Sequence, residues 1–145
     1  MELLLLTVDP DPDRVLGSLA LLSHHVRIAV AEVSSLLEAG NADVAIVDAR
    51  TDLAAARGLC RLLRNTSGTV PVVAVLNEGG LVAVNADWGI DEILLPGIGP
   101  AELDARLRLL AGRRDSSGAA EAASVTVRSM PMTKKADWFT THGDV

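Results

Sequence analysis

The chain of 145 residues has no tyrosine, one phenylalanine and one cysteine, and its only lysines are Lys134 and Lys135. Each shortage excludes something. The single thiol, Cys60, can close no internal disulfide and has no second cysteine to share a metal; in the run Leu59, Cys60, Arg61, Leu62, Leu63 it reads as core filler. No apolar run approaches the roughly eighteen residues of a membrane span, and Glu2 followed by leucines lacks the basic start of a signal peptide. A cytoplasmic protein with no membrane partner is expected. Residues 1–112 contain no lysine and hold fifteen Asp and Glu against eight Arg. An acidic stretch of this kind matches phosphate backbones poorly, so residues 1–112 are not expected to bind nucleic acid directly.

What the sequence does have is apolar content, 49% of residues, in a regular alternation. Five short apolar runs read as strands: Leu3–Val8, Val26–Val30, Val44–Val47, Val70–Leu76 and Glu92–Leu95. Between them, helical spacing predicts helices over Pro12–Leu22 with Asp11 as N-cap, Ala31–Ala39 ending at Gly40, Asp52–Leu63, Gly80–Trp88 ending at Gly89, and Pro100–Leu110. The last carries Glu102–Arg106 and Asp104–Arg108 as i,i+4 pairs. Strict alternation with near-continuous apolar strands implies an α/β fold, a doubly wound five-stranded parallel sheet of flavodoxin-like order 2-1-3-4-5 with helices on both faces. This domain spans 1–112. From Arg113 the composition changes to Ser, Gly and Ala and then a mixed run; residues 113–145 read as a linker and disordered tail, with Ser124–Val127 as a short strand.

In such a sheet a site lies at the carboxyl ends of the strands, which singles out Thr7, Val8 and Asp9, then Asp48, then Leu76 and Asn77, then Pro96. The segments ELLLLT (2–7), ADVAIVDAR (42–50), GLCRLL (58–63), PVVAV (71–75), NEGGLVAVNADWG (77–89), DEILLP (91–96) and GPAELDARLRLL (99–110) together resemble the receiver domains of OmpR/PhoB-type response regulators, and most closely the atypical GlnR-type regulators of nitrogen metabolism. The resemblance runs from Glu2 to about Arg114. It implies transcription control, in a family that carries a C-terminal winged-helix DNA-binding domain, and nothing after Arg114 resembles that domain.

A working receiver needs an acceptor Asp, an acidic pair that holds Mg²⁺, a switch hydroxyl and a lysine. Asp48 takes the acceptor place. Thr7 and Val8 stand where the acidic pair belongs, Leu76 at the switch hydroxyl, Ile93 at the aromatic switch and Pro96 at the lysine. The Mg²⁺ site is therefore expected to be degenerate and no cofactor is expected. A phosphate of charge about −1.5 to −2 would face Asp9 unscreened. Asp48 reads instead as a structural anchor, with Arg50 as its cationic partner, Thr7 as a second donor and Asp9 nearby. No enzymatic activity is expected.

The resemblance also implies a two-fold homodimer through the fourth helix, fifth strand and fifth helix. Its apolar centre falls on Leu81, Val82, Val84, Trp88 and Leu110, with Trp88 as anchor, although Leu81 and Val84 serve equally well as core. Its ion pairs fall on Asp91, Glu92, Glu102 and Arg106, with Arg106 reaching Asp91 or Glu92 of the other copy. His24 and His25 read as solvated loop residues, Gly79–Gly80 as a tight turn rather than an anion cradle, and Arg57, Arg61 and Arg64 as a solvated stripe. The leading function is a phosphorylation-independent receiver that dimerises and positions effector domains. The alternatives are a phosphorelay acceptor using Asp48, and a free-standing adaptor that pairs with full-length regulators and poisons their dimers.

Overall fold

Four consecutive leucines open the chain, and they form β1 (Glu2–Leu6), the centre of the sheet. Alternation sends Leu3 and Leu5 to one face and Leu4 and Leu6 to the other, and all four are fully buried. Burial of each contributes about 1.5–3 kcal/mol. Around β1 lie β2 (His25–Ala29), β3 (Val44–Asp48), β4 (Val72–Val75) and β5 (Glu92–Leu94), all parallel, in the order β2-β1-β3-β4-β5. This is the doubly wound order 2-1-3-4-5. The computed structural model describes residues 1–113, with Met1–Gly112 as one compact unit, and the tail with its Ser124–Val127 segment lies outside the described residues.

The connections depart from the expected five helices. Helix α1 is short, Asp13–Leu16, and passes into a 3₁₀ run, Gly17–Leu21. Asp11 does not cap it from the N-cap position, which is Pro12; its Oδ1 instead accepts from the Asp13 amide at 3.0 Å. The second connection is a 3₁₀ run, Val33–Asn41, with no side-chain cap. Its inward row is Leu36, Ala39 and Ala42, the period of three that a 3₁₀ turn presents. β-Branched Val33 and two serines weaken the α-helical alternative.

Helix α2 (Leu53–Ser67) is long and capped by Asp52, whose Oδ1 accepts from the Ala55 amide at 3.0 Å. The fourth connection breaks into two 3₁₀ turns, Glu78–Ala83 and Ala86–Trp88, separated by extended Val84 and Asn85. At Gly80 a Cβ would stand 3.3 Å from side-chain carbons of Leu53 and Leu76, a tight fit to which those side chains would have to yield, so glycine lets the backbone lie close on the core. Gly89 closes the second turn at φ +70°, the left-handed conformation glycine favours. The last helix, α3, runs over residues 100–113 and buries Leu103, Leu107 and Leu110. One face of the sheet is covered by α1 and α3, the other by α2 with the second and fourth connections.

Candidate functional site

At the carboxyl ends of β1 and β3 three charged side chains and one hydroxyl converge. Asp48 ends β3 with its carboxylate only 3% exposed. Its Oδ1 accepts from Arg50 Nε at 2.8 Å and from the Arg50 backbone amide at 3.1 Å; its Oδ2 accepts from Thr7 Oγ1 at 2.7 Å and from Arg50 Nη2 at 3.0 Å. The same guanidinium reaches across to Asp9 Oδ2 at 2.9 Å and donates through Nη1 to the carbonyl of Arg14 at 3.0 Å. Asp9 is held further by the Asp11 amide on its Oδ1, and its own amide donates to Thr7 Oγ1 at 3.0 Å. Strand pairing explains the meeting: β1 and β3 are neighbours with Leu6 opposite Val47, so the residues just beyond them emerge side by side.

The electrostatics follow from this contact set. Burial pushes the Asp48 carboxyl up, but the donors on Arg50 and Thr7 outweigh it and hold the group below the usual carboxylate range. Asp9 is lowered by the Asp11 amide first and by Arg50 second. Arg50 is driven further above its ordinary value by Asp48, against its own partial burial. The group is thus a closed, doubly anionic clamp around one cation. Among the described residues no three His, Cys, Asp or Glu side chains converge as metal ligands. Leu76 is fully buried, Ile93 and Pro96 are partly buried, and Val8 is 67% exposed.

The residues expected on the association face do not all reach a surface. Trp88 is 1% exposed, packed in the core beneath α2, with Nε1 donating to the Ala83 carbonyl at 3.0 Å. It is a core residue, which corrects its reading as an anchor. Leu110 is buried likewise, on the inward row of α3. Leu81 and Val84 are partly buried against the same core as Trp88. Asp91 is committed inside the chain: Oδ1 accepts from Arg64 Nη2 at 2.7 Å and Oδ2 from the Val72 amide at 2.8 Å. Arg64 also donates to the Gly89 carbonyl at 2.9 Å, so it belongs to a clasp rather than a solvated stripe. Arg106 pairs with Glu92 at 3.1 Å and lies 3.8 Å from Glu102 within the chain.

Three apolar side chains of these segments are exposed: Val82, at 93% and expected on this face, with Leu95 and Leu109, which were not. Leu109 was legible, since it stands three residues after Arg106 and seven after Glu102 on one side of a helix. Leu81, Leu95 and Ile98 line a groove of about 580 Å³ edged by Glu102 and Arg106. His24 also departs from its solvated reading: its Nε2 lies 2.7 Å from Asp104 Oδ1, the imidazole is mostly buried, and this contact is the main cause that lowers the Asp104 carboxyl.

A five-stranded doubly wound sheet with an aspartate at the end of β3 and a charged cluster around it defines the receiver class. The chain belongs to the family of transcription regulator GlnR N-terminal domains, whose model matches residues 1–111. Solved receiver structures share the fold. The receiver domain of a sensor histidine kinase from Pseudomonas aeruginosa, solved with magnesium in its active-site cleft, is 22% identical with a TM-score of 0.59, over 77% of this chain and 97% of its own. The receiver of the TMAO respiratory system response regulator TorR is 19% identical with a TM-score of 0.61, again over 77% of this chain and 97% of its own. A receiver domain from Clostridium thermocellum is 16% identical with a TM-score of 0.64, over 79% of this chain and 96% of its own. No curated protein matches the chain. No helix among the described residues is long and apolar enough to cross a membrane.

Proposed function

We propose that this receiver works without phosphorylation, holding a fixed conformation through Arg50 and pairing with a second copy to position the effector domains of a GlnR-type regulator of nitrogen metabolism. One observation carries the reading: each oxygen of Asp48 accepts two hydrogen bonds, three of the four from Arg50. A nucleophilic carboxylate needs a free oxygen, and here attack on a phosphoryl donor would first strip a buried ion pair. The donor set does not fit a resident divalent cation either. Mg²⁺ requires near-octahedral oxygen ligands, whereas the space between Asp9 and Asp48 is taken by the guanidinium, which supplies positive charge from within the chain.

The pairing surface in this reading is the exposed side of the fourth connection, the segment after β5 and α3. Val82, Leu95 and Leu109 supply apolar contact, and Arg106 with Glu92 and Glu102 sets register. Of the three, Leu95 shares its groove with Glu102 and Arg106, so exposed apolar surface meets paired charge there as an association patch requires. The test treats the full chain with acetyl phosphate, and separately with beryllofluoride and Mg²⁺, followed by intact mass and sizing. The reading expects no adduct and the same dimeric elution in every arm. A stoichiometric phosphoryl adduct with a change in elution would establish the phosphoacceptor reading in its place.

A further inference from the structure

We propose that a partly open pocket between the carboxyl ends of β1 and β3 and the first turns of α2 binds a small molecule with a cationic N–H head and a short aliphatic body. The cavity has a volume of about 200 Å³. At about 30 Å³ per water in the liquid, it accommodates on the order of six or seven heavy atoms. Its walls are small and apolar: Val8, Ala31, Val47, Ala55, Ala56 and Leu59. Among the described residues its polar lining is Asp48, Thr51 and Asp52, with no arginine, lysine or histidine.

That lining selects the ligand's chemistry. Asp48 is saturated by Arg50 and Thr7, which leaves Asp52 and Thr51 to act. Asp52 uses Oδ1 to cap α2, and its Oδ2 and the Thr51 hydroxyl, both on exposed residues of the lining, are engaged by no other described residue. Both are acceptors for N–H groups at the edge of an apolar chamber. An anion in the same place would meet the Asp52 carboxylate with no cation among the described lining residues. The position agrees with the topology, because β1 is where the order turns from β2 on one side to β3 on the other, and doubly wound sheets bind ligands at that reversal. The Arg50 clamp runs toward Arg14 and α1, on the other face of the sheet, so it closes the charged cluster and leaves this chamber open. Val8, flanked by the clamped Thr7 and Asp9, forms part of the wall and would gain cover from an occupant.

The test is an amide NMR titration of the isotopically labelled full chain with n-butylammonium chloride, with sodium butyrate at equal ionic strength as control. The proposal expects saturable shifts at Val8, Ala31, Thr51 and Ala55 with the amine and none with butyrate. Ala55→Leu, at an exposed position on the wall, should weaken binding at least tenfold with the melting temperature unchanged. Asp52→Asn keeps a capping oxygen, removes the charge and should also weaken binding at least tenfold. Shifts that fail to saturate, an equal response to butyrate, or unaltered affinity in both variants would overturn the assignment.

Discussion

Arg50 is the residue that joins Asp48 and Asp9 at the edge of the sheet, and its guanidinium geometry is the reason. A planar fork can meet both oxygens of Asp48 and still reach Asp9, whereas a lysine ammonium is a point charge that cannot hold three partners in one plane. Arg50→Ala leaves Asp48 buried and unpaired at neutral pH, and a loss of about 3–5 kcal/mol in urea unfolding is expected. Arg50→Lys should recover only part of it. The pH dependence has a fixed sign. Asp48 in the folded chain titrates below its ordinary value of 3.8, so its contribution to stability is complete above about pH 4 and is lost as pH falls through the folded value. Asp48→Asn should flatten the acid limb of the stability curve below about pH 4; an unchanged limb would contradict the assigned shift. This cluster was legible in the sequence because its members sit at the ends of two strands whose pairing the fold class dictates, with Arg50 two residues from Asp48.

Among the elements, the fourth connection shows where sequence periodicity stopped being informative. Leu81, Val84 and Trp88 stand at helical spacing, and a continuous α-helix would put them on one side. The chain is extended at Val84 and Asn85 instead, so the phase is lost and Trp88 turns inward to the Ala83 carbonyl. Two adjacent glycines and two β-branched valines weaken the helical state there, and Gly80 lies close on Leu53 and Leu76. The consequence can be measured: Trp88→Ala should lower unfolding free energy by about 3–5 kcal/mol as a core deletion. Helix α3, by contrast, was legible throughout, since an uninterrupted 3.6-residue period with paired charges leaves no competing conformation. The Arg64 clasp was invisible in sequence because it joins α2 to Gly89 and Asp91 across the fold. Arg64→Ala frees two bonds and one carboxylate, with an expected loss of about 1–2 kcal/mol by the same urea measurement.

For the whole molecule, the parallel sheet, its strand order and its two covered faces follow from composition and alternation, and they place the Arg50 clamp at the carboxyl ends of β1 and β3. In the fourth connection, which apolar residues are exposed depends on the register of short 3₁₀ turns, and sequence spacing carries little of that information. The association reading stands apart from the core reading of Trp88, because Leu109→Glu changes an exposed side chain and should leave stability nearly unchanged while separating the copies. The most direct measurement is therefore the molar mass in solution of the untreated full chain and of its Leu109→Glu variant, with no phosphoryl donor present. A wild-type mass of twice 15.2 kDa and a variant mass of 15.2 kDa is the predicted result. A wild-type chain that remains monomeric until phosphorylated would contradict it.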